Sequence, residues 1–508
     1  MRCLLLGLLC CGIAAAQENF KPGLILNEDN SHFFMTRSAA DMTVEGLNAF
    51  VDQYAGTKVT HLFLNASAMR TSYKSAVWDS IWEVGKQVVP QDNVLAKNWV
   101  ENARLLNERG LDPYAVWIAR AREKGISPWI SMRMNDVHDV DDTTNFMHST
   151  FWLNHPEYRR VPDGKGWTDR ALNYGLPEVR EHSMQLIREL FERYDMDGLE
   201  LDWMRFGYHF KPGEEEQGRA ILTDFTREVR KLADDWSKKR GHRVRIAARV
   251  PSHPDAALGL GMDGIAWVRE GLVDLLIPTP FWASSDFDIP IELWRERIGA
   301  SAKNVVLAPG LEVLVRAYPD AKPTLIDLEE VRGFAAADRQ RGADAIYLFN
   351  FMDPAPTAGG IPAYRELLEK GLGPEALEGV ARRHPVTYRD TVPAGVSADV
   401  QLPLDAAKGC QLRIYTGPVP KEGSVEFIAG LSERDGINDA AFDVTLNGSA
   451  CTPLSDAADL APYPNAKRAV RFNCPLAALK EGYNEVTIHQ RGETPPQQIV
   501  WTELRLLP

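Results

Sequence analysis

From about residue 21 to 371 the chain alternates short, β-branched apolar runs with amphipathic helical stretches, and this alternation limits its fold more than any other feature. Eight runs read as strands: 23–27, 60–65, 127–134, 198–203, 243–250, 273–278, 304–308 and 343–349. Helical stretches at 43–54, 112–124, 178–194, 219–239 and 327–341 lie between them, and the second opens on an Asp cap followed by Pro. Strands separated by helices form a parallel sheet with the helices outside it. Eight such units are the content of a closed (β/α)8, or TIM, barrel. An open doubly wound sheet would normally follow its first strand with a glycine-rich phosphate turn. Here the first strand runs out as Asn27-Glu28-Asp29-Asn30. The connections after the second and third strands are long, and 135–173 is rich in His, Asp, Trp and Pro, as binding loops on the C-terminal face of a barrel are.

Past about residue 383 the long helices stop. Alternating runs at 411–415, 424–428, 442–446, 469–472, 484–488 and 500–506, with Asn447-Gly448 as a hairpin turn, read as an antiparallel, jelly-roll-like β-sandwich. The expected layout is a signal segment at 1–16, a barrel at 17–375 and a sandwich at 384–508. Arg2, the apolar stretch 3–13 and Ala14-Ala15-Ala16 have the form of a cleaved secretory signal, which predicts a secreted or periplasmic protein. Three of the six cysteines lie in that segment. Cys410, Cys451 and Cys474 allow one disulfide and one thiol, with Cys451–Cys474 the expected pair. No later run is long and apolar enough for a membrane span. A net charge of −13 argues against nucleic acid and anionic membranes as partners, although a local pocket of arginines can still take an anionic substrate. The sequence sets no oligomeric state.

Barrel chemistry sits where strands end. The fourth strand ends Asp197-Gly-Leu-Glu200-Leu-Asp202-Trp-Met204-Arg205. Period-two alternation puts Glu200, Asp202 and Met204 on one face and Leu199, Leu201 and Trp203 on the other, so the carboxylates should point into the barrel mouth. Close like charges push one pKa upward, and glycosidic hydrolysis needs this asymmetry of one protonated and one ionised carboxyl. The third strand offers Ser131, Arg133 and Asn135, followed by Asp136 and His138; the fifth offers Arg249, and Arg205 and Arg70 lie near strand ends. These arginines can orient Glu200 and Asp202, or bind a sugar carboxylate or sulfate with forked donors, and both readings stand. Glu312 ends the seventh strand, and Glu28, Asp29 and Asp353 are further candidate carboxylates. Trp152, Trp167, Trp203, Phe281, Trp282, Tyr158, Tyr174 and Tyr208 could stack on sugar rings. His138, His148, His155, His209 and His253 lie in or near these loops without a metal-binding spacing, although His138 or His209 could act in acid/base chemistry. No metal or cofactor is called for.

The segment 177–202, with its Asp197-Gly198-Leu199-Glu200-Leu201-Asp202 run, resembles bacterial glycosyl hydrolase-like proteins of the family 10-like kind, and the similarity extends over about 21–371. It implies a (β/α)8 hydrolase acting on an oligo- or polysaccharide or a glycoconjugate. The same run is similar to the chitinase pattern DGxDxDxE, but Met204 stands in place of the acid and Glu200 in place of the middle Asp, so the chitinase assignment does not carry over. Inward arginines at 133, 205 and 249 would also suit a resemblance to barrel-type sialidases. The resulting expectation is an exported glycoside hydrolase acting on an acidic or decorated glycan, whether sialylated, uronate or sulfated. Asp202, Glu200 and Glu312 are the catalytic candidates. Arg133, Asn135, Asp136, His138, Arg205, Arg249, Trp203, Trp282 and Tyr208 are the substrate-binding ones. The alternatives are an exo-sialidase, a non-catalytic glycan-binding protein on a degenerate barrel, and a metal-dependent esterase or lyase using Asp202, Asp136 and a His.

Overall fold

In a computed structural model, which describes residues 20, 22–282 and 284–508, the alternation becomes one parallel sheet. The expected signal segment lies outside the described residues. Strands β1 (Leu24–Glu28), β2 (Val59–Asn65), β3 (Ser127–Arg133), β4 (Gly198–Asp202), β5 (Arg245–Pro251) and β6 (Leu275–Thr279) pair side by side in chain order. The seventh unit is divided at Pro309, which has no N–H to donate. Its first piece, β7 (Val306–Leu307), pairs with β6, and its second, β8 (Gly310–Glu312), pairs with β9 (Ile346–Phe349), which pairs with β1. The two edges of the sheet are therefore successive pieces of one stretch. The handover is hydrogen-bonded: the Ala308 N–H donates to Leu276 (3.0 Å), and the Pro309 carbonyl accepts from Tyr347 (3.1 Å). The fold is the (β/α)8 barrel with a C-terminal sandwich.

Alternation assigns the two faces. Ile25, Phe63, Trp129, Ala247, Leu275, Ile277, Tyr347 and Phe349 fill the lumen. Leu24, Leu26, Leu199, Leu201, Ile246 and Ala248 face the helical shell. The helices start as their caps dictate. The Asp112 side chain accepts from Tyr114 and Ala115 at the start of Pro113–Glu123, and Asp327 with Glu330 forms a capping box on Leu328–Gln340. Several helices, among them Ile291–Ile298 and Gly360–Lys370, have no counterpart among the helical stretches expected from the sequence, and the longest of these is Val94–Glu108. Its first residues, Val94 and Leu95, are exposed, which blurs the apolar period, although Asn93 caps it.

Beyond the barrel, β10 (Arg382–Pro385), also absent from the expected strands, leads into β11 (Cys410–Tyr415), β12 (Ser424–Leu431), β13 (Ala441–Leu446), β14 (Arg468–Cys474), β15 (Tyr483–Arg491) and β16 (Gln498–Leu507). They form two antiparallel sheets, ordered β10-β16-β12-β14 and β11-β15-β13, each with a short two-residue edge strand. Cys451 and Cys474 are bridged, and Cys410 is a buried thiol. The sandwich packs on the barrel through β10. Arg383 of β10 reaches Glu330 of Leu328–Gln340 (3.5 Å) and Glu503 of β16 (2.6 Å). A Cβ on Gly333 of that helix would lie 2.0 Å from the Arg383 carbonyl oxygen, so helix and strand backbones touch. Among the described residues no helix is long and apolar enough to cross a membrane.

The lumen is tightly filled at the base of β4, where a Cβ on Gly198 would lie 2.4 Å from the Trp129 ring. Gly198→Ala should therefore lower unfolding stability by about 1–3 kcal/mol through overpacking. Urea denaturation checks this, and a change within error would show that the lumen can relax around the methyl group.

Candidate active site

The register of β3, β4 and β5 decides the chemistry of the mouth. Glu200 sits between Ser131 and Ala247, and one step higher Asp202 sits between Arg133 and Arg249. Asp202 Oδ2 accepts from Arg249 Nη1 (2.8 Å), while Oδ1 accepts from the N–H groups of Met204 (3.1 Å) and Arg205 (3.0 Å). The Arg249 guanidinium lies 3.9 Å over the Phe349 ring. Arg249 thus orients Asp202. Arg133 is taken up by Asp29 and by Asp136 (3.3 Å). Burial would raise Asp29, but Arg133 and the hydrogen bonds from Ser31 outweigh it and hold the carboxyl at about 2. Burial likewise opposes Asp136, yet His138 and Arg133 bring it well below the usual carboxylate range.

His138 and Arg205 complete this cluster. His138 Nδ1 faces Asp136 Oδ1 (2.8 Å), and Nε2 faces Arg205 Nη2 (3.0 Å). A guanidinium can only donate, so Nε2 accepts and the ring proton sits on Nδ1, toward Asp136. Arg205 is buried, with Nε and Nη1 unpartnered, and among the described residues it has no carboxylate within ion-pair distance. The Phe206, Phe281 and Phe349 rings surround it, 5.4, 5.8 and 5.7 Å from the guanidinium carbon. Burial and the neighbouring Arg133 lower it to about 10.

Two carboxyls move the other way. Both Glu200 oxygens are buried without a hydrogen bond. Burial, then the charge of Asp202, pushes Glu200 up to about 8, against the charge of Arg249. Glu312, at the end of β8, accepts from Asn350 Nδ2 at 3.1 Å on each oxygen. Burial raises Glu312 to about 7; Asn350, Arg205 and Arg249 oppose the rise and Asp390 adds to it. Asn350 can reach Glu312 because it turns the chain just after β9 with φ 63, a left-handed conformation that Asn tolerates.

Several sequence candidates lie elsewhere. Trp203 does not face the mouth: it is fully buried in the helical shell against Tyr174 and Phe225, on the outward side that alternation gives it. Asn135 is not open to a substrate either, since it donates to the Leu172 and Tyr208 carbonyls and accepts from the Leu172 N–H, tying two loops together. Arg70 is buried on the carbonyls of Glu83 (2.6 Å) and His148 (2.8 Å). His209 is a core residue bonded to the Trp203 carbonyl, and burial lowers it to about 3. Trp152 and Tyr174 are also core. The aromatic rim is Trp167, stacked on Phe281 (5.7 Å, 13°), with Phe206 and Tyr208 beside Trp167 and Trp282 half-exposed next to Phe281. A residue outside the barrel, Asp390, also belongs here: its carboxylate accepts from the N–H groups of Phe281 (2.8 Å) and Trp282 (2.9 Å). No strand pattern marks it, because it lies in the loop that follows β10. Among the described residues no three His, Cys, Asp or Glu side chains converge as a metal site.

The parallel barrel thus gathers buried carboxyls and arginines at its mouth. Residues 64–250 match the model of the family described as glycosyl hydrolase-like 10, a span that includes Arg133, Glu200, Asp202 and Arg249 but not Glu312. Glycosyl hydrolase YngK of Bacillus subtilis (strain 168) is 21% identical over 233 residues, covering 37% of this chain and 43% of that protein. Glycosyl hydrolase DigH of Escherichia coli (strain K12) is 18% identical over 268 residues, covering 44% and 56%. The chain spans about half the length of these curated relatives. Among solved structures, the PgaB (BpsB) glycoside hydrolase domain from Bordetella bronchiseptica aligns at 12% identity with a TM-score of 0.40, over 69% of this chain and 99% of that one.

The raised carboxyl of Glu200 has a consequence for stability. Its proton is favoured in the folded state, so stability is intact below the ordinary value of 4.5 and is lost as pH rises toward about 8. Glu200→Gln carries no such loss. Its melting temperature relative to wild type should climb between roughly pH 4.5 and 8 and then level off. Thermal scans across this range test the assignment, and a difference that does not vary with pH would show that Glu200 is not held protonated.

Proposed function

We propose that the chain is a glycoside hydrolase that cleaves an acidic glycan, with Glu312 as proton donor and Asp202 as the ionised carboxylate that attacks the anomeric carbon or activates water. The observation that carries this reading is the pairing, within one barrel mouth, of a carboxyl raised to about 7 with a carboxylate ion-paired to an arginine. They come from β8 and β4, the seventh and fourth units of the ring. One supplies the proton the leaving oxygen needs, and the other supplies the negative charge that an oxocarbenium-like transition state needs. Glu200, one step deeper on β4, is a neutral support beneath Asp202.

The acidic character of the substrate rests on Arg205. Arg133 and Arg249 are paired with carboxylates, whereas Arg205 keeps two unpartnered N–H-bearing nitrogens in a buried aromatic collar close enough to Glu312 to act on its charge. A uronate, sialic acid or sulfated sugar would complete those donors. Trp167, Phe281 and Trp282 supply ring faces for the sugar. The N-terminal residues 1–16 support export, so the glycan would be met outside the cytoplasm.

The test is product release from a panel of neutral, uronate, sulfated and sialylated oligosaccharides. Glu312→Gln and Asp202→Asn should each lower kcat by about 10²–10⁴-fold with the fold intact. The kcat/KM of wild type should fall as pH rises through about 7, because the donor must keep its proton. Arg205→Ala should raise KM for the acidic substrate by about 10–100-fold, the scale of a lost charged hydrogen bond. Cleavage confined to neutral glycans would remove the acidic assignment. Binding without cleavage would make the chain a glycan-binding barrel.

A further inference from the structure

The loop that follows β10 does not run clear of the mouth. From Val386 to Thr391 it crosses the loops that follow β4 and β6. Thr387 Oγ1 accepts from the Phe287 N–H (2.9 Å), and Arg389 pairs with Asp286 (3.5 Å) and Asp399 (2.9 Å). The Thr391 methyl lies so close to Gly207 that a Cβ there would come within 3.2 Å of it. Between these anchors Asp390 turns its carboxylate onto the backbone N–H groups of Phe281 and Trp282. Those two residues carry one side of the aromatic rim, with Trp167 stacked on Phe281. Asp390 is also close enough for its charge to act on Glu312 and on Tyr208.

We infer that Asp390 is a positioning residue of the mouth: it pins the Phe281–Trp282 side of the aromatic rim through two backbone N–H groups, and from there its charge acts on the proton donor Glu312. The second half rests on the hydrolase reading, and the first does not. The two N–H groups sit at the end of β6, and Asp390 answers both with a single carboxylate. Glu312 faces Arg205 and Arg249, whose charges draw its proton off, and Asp390 is the charge that counters them. Asp390 itself faces Asp286, Tyr208 and Tyr388, along with the N–H groups it binds. Burial and Asp286 raise it to about 6, so it is mostly ionised at neutral pH and releases part of its hold on the rim below that value.

Two readouts on the full chain separate the halves. The first needs no substrate. The fluorescence of Trp282, taken as the difference between wild type and Trp282→Phe, is followed from pH 4.5 to 8. A transition near 6 that disappears in Asp390→Asn is expected. A flat wild-type trace, or a transition that survives in Asp390→Asn, overturns the rim assignment. The second uses the acidic oligosaccharide cleaved by wild type. In Asp390→Asn the alkaline limb of kcat/KM should move to lower pH by about half a unit to one unit, as expected for removal of one nearby like charge. KM should rise several-fold, and Asp390→Glu should restore part of both. A merely structural role would lower activity or melting temperature equally at every pH. An unmoved limb with unchanged KM therefore overturns the charge assignment. If Glu312→Gln cleaves as well as wild type, it is the donor reading that fails, and the fluorescence result still decides the role of Asp390 at the rim.

Discussion

Two carboxylates two residues apart on one strand, turned into the lumen of a closed barrel, form the constraint that organises the mouth. Taking a charge out of water costs several kcal/mol unless a partner meets it, and breaking a buried pair costs about 3–5 kcal/mol. Parallel register supplies the first compensation, because Asp202 lies level with Arg133 on one side and Arg249 on the other. Arg249 takes the ion pair. Arg133 then needs carboxylates of its own and finds them in Asp29 and Asp136, just past the ends of β1 and β3. Asp136 fixes the His138 tautomer, and His138 in turn accepts from Arg205. Each partner is set by the one before it, and the series of pairings ends at an arginine with donors to spare.

The closure of the barrel delivers the other half of the site. Pro309 interrupts pairing to β6, and only a glycine fits at position 310, where a Cβ would lie 2.3 Å from the Thr279 hydroxyl oxygen. With those two residues in succession, the chain leaves β6 and joins β9, bringing Glu312 level with Phe349 and within reach of Asn350. Glu312 is then buried without an arginine of its own, which keeps its carboxyl high. Asp202 is equally deep, both being about 1% exposed, but its partner is the Arg249 guanidinium.

Legibility in the sequence depends on which forces are local. Strand and helix periodicity is set by neighbours along the chain, so the barrel units and the direction of Glu200 and Asp202 were legible. Trp203 shows the limit: its alternation already pointed outward, and a loop-rich neighbourhood of aromatics was a weaker guide than the pleat. Asn135 sits at a strand end, as a binding residue would, yet its amide is used up on two loop carbonyls that no pattern places beside it. The choice of Arg249 over Arg133 for Asp202 is made by tertiary geometry. Asp390 was invisible because the loop after β10 has no period, and its meaning comes from the groups it meets after folding, the N–H groups more than a hundred residues away first among them.

A chain of net charge −13 is a poor host for an anion until its mouth is considered separately. There, Asp29, Asp136, Asp202 and Asp390 stand against Arg133, Arg205 and Arg249, so the cluster carries one excess negative charge while Glu200 and Glu312 hold their protons. Losing either proton adds to that excess, and in a buried site the repulsion is poorly screened. An anionic sugar arriving at Arg205 adds a further negative charge, and that charge itself favours keeping the proton on Glu312. On the proposed reading, substrate acidity and the protonated donor therefore support each other.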